Sequence, residues 1–326
     1  MAEASEAAPN LPNVLLLKPL AFPHVEAECS RNFLLLKAYD SPQPIHLFLS
    51  THATSVSALL CSAGTPVTTE TLRLLPCLRL IVTTSVGLDE LDLSECRRRG
   101  IAVSNPGAIF ADDVADLAVG LLIDVVRKIS AADRYVRRGL WRVEGDHPLG
   151  NRLGDMKVGI VGLGNIGFKV AKRLEGLGCR ILYNSRKKKS FVSYPYHSNI
   201  CDLASRSDVL VICCALTDQT RRMINDRVLS LLGKDGVIVN VGRGAIVDEE
   251  ELVRFLLEGE IAGAGLDVFE NEPYVPKELF ELDNIVLSPH RAVFTPEALQ
   301  DLEELVVGNL KAFFSSQPLL SQVVFE

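Results

Sequence analysis

Short apolar runs, too short for helices, alternate along this chain with longer stretches whose apolar positions recur at helical spacing. In the N-terminal third, Val14 to Leu17, His46 to Leu49, Val56 to Leu60, Leu80 to Val82 and Ile101 to Val103 read as strands. A second series begins with Lys157-Val158-Gly159-Ile160-Val161 and continues through Arg180 to Tyr183, Val209 to Ile212, Val237 to Val241, Ala264 to Val268 and Ile285 to Leu287. Helical patterns fill the gaps: Asp112 to Ile129, opened by Asp112-Asp113, Phe168 to Leu177, closed by Gly178, and Glu297 to Phe314. Strands that alternate with helices build parallel sheets, so the expected fold class is α/β with two doubly wound parallel-sheet domains. The chain is expected to divide into a discontinuous domain made of residues 1–105 and 289–326 and a contiguous one, residues 106–288.

Composition narrows the partners. The chain has 326 residues, enough for two cores, and its 48% hydrophobic content suits an ordinary globular protein. A net charge of −7 disfavours nucleic acid, so an anionic small-molecule substrate must be met by a local basic group. No apolar stretch approaches the roughly twenty residues needed to span a bilayer, and the acidic Met1-Ala2-Glu3-Ala4-Ser5-Glu6 is unlike an Arg-rich transit peptide. Val324-Phe325-Glu326 is not a peroxisomal address, so the cytosol is the expected compartment, with no membrane partner. The eight cysteines show no C-x-x-C pair and no metal-ligand spacing with histidine, and read as small buried hydrophobes.

The chemistry begins after the strand at Val161. Gly162-Leu163-Gly164-Asn165-Ile166-Gly167 joins that strand to a helix, the context a dinucleotide-binding turn requires. Gly162 permits the tight turn, Gly164 lets the backbone approach a pyrophosphate, and Gly167 lets the helix lie against the strand; Leu163, Asn165 and Ile166 complete the cradle. Where an NAD-binding protein ends its next strand with Asp or Glu on the ribose hydroxyls, this chain has Asn184-Ser185-Arg186-Lys187. A carboxylate would repel the extra phosphate of NADP, whereas Ser185, Arg186 and Lys187 offer a hydroxyl and two cations; the expected cofactor is NADPH. Lys188 and Lys189 read as a solvated extension of the same loop.

Three further segments each put a charged or titratable residue past a strand: Asn240-Val241-Gly242-Arg243-Gly244, Asn271-Glu272-Pro273 and Ser288-Pro289-His290. Ligands bind at the carboxyl ends of strands in open α/β sheets, so Arg243, Glu272 and His290 are the candidate catalytic residues. A glutamate near a histidine orients the ring and stabilises its protonated form. Together with Gly265-Leu266-Asp267-Val268-Phe269, these segments resemble the D-isomer-specific 2-hydroxyacid dehydrogenases in order and spacing, and the Ser185-Arg186 segment looks most like their plant NADPH-dependent glyoxylate, hydroxypyruvate and hydroxyphenylpyruvate reductases.

The resemblance implies a flavodoxin-like substrate domain beside a Rossmann cofactor domain, and the reduction of small 2-oxo acids such as hydroxypyruvate and glyoxylate by NADPH. It implies that Arg243 and the backbone amides of Val86 and Gly87 hold the substrate carboxylate, that His290 donates the proton, and that Glu272 orients it. Val241 and Asp267 would face the cofactor, Asp267 at the nicotinamide carboxamide; Trp141 would reach the site of a second subunit in a homodimer. The family often places glycine two residues after the histidine, where Ala292 stands here and is expected to narrow the cleft. Two alternatives share these motifs: a 4-hydroxyphenylpyruvate reductase, and a dinucleotide-sensing interaction protein of corepressor type.

Overall fold

The computed structural model describes residues 11–324, which leaves the acidic N-terminal segment Met1 to Glu6 and the C-terminal Phe325-Glu326 outside the described residues. The chain forms two compact units, one of residues 1–109 with 296–326 and one of residues 110–295. The sequence boundary at 289 puts His290 with the first unit; the structure puts it in the second. The cause is local: His290 N–H donates to Asp267 O at 2.8 Å, and Thr295 Oγ1 donates to Asp113 Oδ1, which ties the segment to the second sheet and its leading helix.

The first unit carries a parallel sheet of β1 (Asn13–Leu16), β2 (Leu34–Lys37), β3 (Ala58–Cys61), β4 (Leu80–Thr83) and β5 (Ala102–Ser104), in the order β2-β1-β3-β4-β5. Leu15, Leu59, Leu60, Leu80 and Ile81 are wholly buried within it, as expected where helices cover both faces of a parallel sheet. The Pro296–Phe314 helix packs here, burying Ala298, Leu302, Val306 and Leu310.

Two expectations fail in this unit. His46 to Leu49 is not a strand but part of the Ile45–His52 helix, set off by Pro44, with Phe48 and Leu49 turned into the core. The run Leu34–Lys37, absent from the expected strands, is the edge strand β2, with no residue fully buried. Four non-branched residues carry little strand signal of their own, and pairing with β1 in register, Leu34 opposite Asn13, decides the outcome.

The second unit carries β6 (Lys157–Val161), β7 (Arg180–Asn184), β8 (Val209–Ile212), β9 (Val237–Asn240), β10 (Gly263–Leu266) and β11 (Ile285–Leu287), all parallel, in the order β11-β10-β9-β8-β6-β7. The α/β reading therefore holds in both units. β6 pairs with β7 on one side and β8 on the other, so the strand order reverses direction there, and the crevice outside the carboxyl ends of β6 and β8 is the ligand position of a doubly wound sheet. The Asn165–Gly176 helix lies against the Ala111–Arg127 helix, and Leu121 and Val125 of the latter approach Gly265 and Gly263 of β10 so closely that a Cβ on either glycine would collide at 2.9 Å. Among the described residues no helix is long and apolar enough to cross a membrane.

Candidate active site

The glycine turn leaves β6 with each glycine under a different constraint. Gly162 has φ +97°, and a Cβ there would meet the Cys214 backbone at 2.6 Å; a Cβ on Gly167 would meet Gly162 O at 2.1 Å. Gly164 faces open space, with nothing within 4 Å, and it precedes the Asn165–Gly176 helix without any side-chain cap. The two outer glycines are thus demanded by packing, while the middle one leaves an open approach to the first-turn amides. That arrangement fits a pyrophosphate, whose charge the helix N-terminus favours. Leu163, 1% exposed, anchors the turn from beneath, whereas Asn165 is exposed and Ile166 half-buried. Beside the turn, burial pushes the Cys214 thiol up to about 11, which keeps it a neutral packing group.

At the end of β7, Arg186 and Lys187 are exposed and Ser185 is half-buried. The Ser185 hydroxyl donates to Lys187 O at 2.6 Å, so a phosphate there would have to exchange that bond. Val241, at the end of β9, is buried, and its N–H donates to Ile212 O at 3.2 Å; it braces β9 against β8.

Arg243 follows in an extended conformation, at the head of the short Gly244–Ile246 turn. Asn240, 1% exposed, holds the loop by donating from Nδ2 to Arg243 O at 3.0 Å and accepting from Gly242 N–H at Oδ1, also 3.0 Å. The arginine NH1 donates to Gly242 O at 2.9 Å, which bends the guanidinium back over its own loop. The sequence shows Asn240 beside Arg243 without showing that it shapes the loop.

Glu272 and His290 meet after β10 and β11. Glu272 Oε1 accepts from Phe269 N–H at 3.0 Å, and Oε2 lies 2.7 Å from His290 Nδ1. Burial pushes the Glu272 carboxyl upward, but the hydrogen bonds from His290 and Phe269 N–H and the charges of His290 and Arg243 outweigh it and hold the group below its ordinary value. Glu272 is therefore an ionised acceptor at neutral pH, and its hold on Nδ1 leaves Nε2 as the ring nitrogen that faces chemistry. His290 sits at φ +53°, unusual for a residue with a side chain, fixed by its N–H bond to Asp267 O.

Asp267 explains that conformation. Its carboxylate is 1% exposed and accepts from Ser288 Oγ, from Arg291 N–H at 2.8 Å and from Ala292 N–H at 3.2 Å. Asp267 ties up both sides of the His290 turn, because three donors of that turn converge on it. The same bonds draw Ala292 inward to 7% exposure. Arg291 stacks over the Phe294 ring, 3.7 Å from the centroid.

Val86 and Gly87 lie in the first unit, in the loop after β4. Asn105 Nδ2 donates to Val86 O at 2.8 Å, and among the described residues no chain group accepts from the Val86 or Gly87 N–H. Trp141 opens the short Trp141–Glu144 helix at 63% exposure, near the exposed Val143 and Leu149.

Comparison with known proteins matches residues 119–292 to the family model described as D-isomer specific 2-hydroxyacid dehydrogenase, NAD binding domain. The chain is 53% identical over 324 residues to a glyoxylate/hydroxypyruvate reductase, HPR3, of Arabidopsis thaliana, covering 99% of each. It is 44% identical to a hydroxyphenylpyruvate reductase of Plectranthus scutellarioides, over 95% of this chain and 98% of that one. Among solved structures, it resembles the NADPH-dependent glyoxylate/hydroxypyruvate reductase of Sinorhizobium meliloti in complex with NADP and malonate, with a TM-score of 0.88, 35% identity and 97% coverage of both chains.

Proposed function

The chain belongs to the D-isomer specific 2-hydroxyacid dehydrogenase family, and from that premise we propose that it reduces small 2-oxo acids with NADPH, glyoxylate to glycolate and hydroxypyruvate to D-glycerate. The observation that carries the reading is the 2.7 Å contact between His290 Nδ1 and an ionised Glu272, on loops at the same carboxyl edge of the sheet as Arg243 and the glycine turn.

In this reading the Arg243 guanidinium binds the substrate carboxylate and polarises the carbonyl, while the Val86 and Gly87 amides, from which no described chain group accepts, are an anion contact offered by the first unit. When bound, NADPH supplies the hydride to the carbonyl carbon. His290 gives its Nε2 proton to the carbonyl oxygen, so that the carbonyl carbon is reduced and the oxygen protonated to the hydroxyl. Glu272 holds the ring and offsets its positive charge before the transfer. Gly162, Gly164 and Gly167, with Leu163, Asn165 and Ile166, cradle the pyrophosphate, and Ser185, Arg186 and Lys187 take the 2′-phosphate.

Initial rates with glyoxylate, hydroxypyruvate and 4-hydroxyphenylpyruvate, each with NADPH and with NADH, test this directly. Turnover of glyoxylate and hydroxypyruvate with marked preference for NADPH is expected. Faster turnover of 4-hydroxyphenylpyruvate would instead align the chain with its Plectranthus relative, and absence of turnover with every substrate would sink the enzyme reading.

A homodimer in the cytosol completes the proposal. Ile129, Val136, Trp141, Val143 and Leu149 are each more than half exposed along residues 129–149, an apolar surface that a second copy would cover, and the eight cysteines are all free, as a reducing compartment requires. Sedimentation equilibrium is expected to give twice the 35.6 kDa chain mass; a monomer at all concentrations would remove Trp141 from any partner's site.

A further inference from the structure

The basic segment after β7 is tied down by backbone bonds and by aromatic side chains. β7 is the edge strand, and the chain that leaves it at Ser185 returns along its open side. Tyr183 N–H donates to Pro195 O at 3.0 Å and His197 N–H donates to Tyr183 O at 2.9 Å, a single parallel bridge where a further strand would otherwise pair. Asn184 Nδ2 adds a bond to His197 O at 2.8 Å.

Two phenols then take the two ends of the turn. The Tyr196 hydroxyl donates to Ser185 O at 3.2 Å, and the oxygen of Tyr183, a wholly buried residue, accepts from Lys189 N–H at 2.8 Å. Their rings touch, with centroids 5.4 Å apart. On the other side Phe191 packs edge-on against Phe168 at 5.6 Å and the Tyr194 hydroxyl donates to Glu175 Oε2 at 3.1 Å, both partners on the helix that begins at the glycine turn.

We propose that Tyr183 and Tyr196 determine cofactor specificity by position: their phenols clasp residues 185–189 into one shape, and that shape presents Ser185, Arg186 and Lys187 to the 2′-phosphate of NADPH. The inference rests on the NADPH reading above. A preformed loop has already met the entropic cost of ordering three long or polar side chains' backbone, so the phosphate gains their charge without that loss. A ligand with no 2′-phosphate makes no use of the arrangement, which is why the clasp discriminates instead of merely stabilising.

The test is Tyr196→Phe in the full-length chain, with Tyr183→Phe as the second variant, each titrated calorimetrically with 2′,5′-ADP and with 5′-AMP, probes that differ only in the 2′-phosphate. Removing one hydrogen bond of this kind is expected to weaken 2′,5′-ADP by roughly three- to tenfold. Binding of 5′-AMP, the KM for NADH and kcat are expected to stay within about twofold, while the KM for NADPH rises in parallel with the loss of 2′,5′-ADP affinity. Hydrogen exchange at residues 185–189 is expected to quicken in both variants. Equal weakening of both probes would mean a general structural role and would overturn the proposal, as would unchanged affinity for both. A wild-type chain that binds 2′,5′-ADP no better than 5′-AMP would instead overturn the NADPH reading on which the proposal stands, a failure visible before either variant is made.

Discussion

Replacing His290 with glutamine is expected to lower kcat for glyoxylate and hydroxypyruvate by roughly 10²–10⁴, the usual worth of a positioned general acid. The substitution preserves much of the surroundings: a glutamine amide can still donate to Glu272 Oε2, and the Asp267 O bond to the backbone N–H of residue 290 remains. What it removes is a transferable proton. NADPH affinity, read from the quenching of its fluorescence, should be unchanged, because none of the glycine turn or the 185–189 segment contacts His290 in the hydrogen-bond network. A loss of less than tenfold in kcat would take the proton-donor role away from His290. The acid limb follows from the direction of the Glu272 shift. A carboxylate whose folded-state pKa is depressed contributes its interaction above the ordinary carboxylate range and loses it as pH falls through the lowered value, so the Glu272–His290 pair holds throughout neutral pH and fails only in acid.

Replacing Gly244 with alanine is expected to abolish most activity and to cost at least about 1–3 kcal/mol of stability, the range for forcing atoms into a filled site. An added Cβ would lie 1.9 Å from Phe269 C, 2.1 Å from Phe269 O and 2.3 Å from Glu270 N. All three are backbone atoms, so no side chain can swing aside. Relief requires the Arg243 loop to part from residues 269–270, and Glu270 N–H is itself bonded to Glu249 Oε1 while Arg222 bonds the Glu270 carboxylate. Arg243 would therefore move relative to Glu272, and a displacement of about 1 Å is enough to cost on the order of 10²-fold in rate. Thermal melts and kcat/KM measured together check this: a variant with the wild-type Tm and wild-type activity would show that the contact yields easily.

The features that were legible in the sequence are those set by local rules. The glycine turn is readable because each glycine answers a backbone demand within a few residues of itself, and Gly162, Gly164 and Gly167 occupy three distinct environments in the structure. Arg243, Glu272 and His290 are readable as candidates because each follows a strand. The misreadings involve competition from elsewhere in the chain. His46 to Leu49 alternates no more clearly as a strand than as a helix, and only the burial of Phe48 and Leu49 beneath the first sheet resolves it. Leu34–Lys37 has no intrinsic strand preference and becomes one through β1. Asp267 is placed near the cofactor by resemblance alone, and its bonds to three donors from residues 288–292 span more than twenty positions and leave no trace in a single sequence. Asn240 and the two clasping tyrosines are silent for the same reason.

The discontinuity of the first unit bears on how the protein is made. Its sheet forms from residues preceding 110, but the helix that covers part of it, Pro296–Phe314, and the Val323 N–H that bonds to Val103 O at 2.8 Å belong to the stretch after 295. On the ribosome, at roughly 5–20 residues per second, the intervening unit has its whole chain available first, while the earlier one waits with apolar surface uncovered. The first unit is thus begun first and completed last.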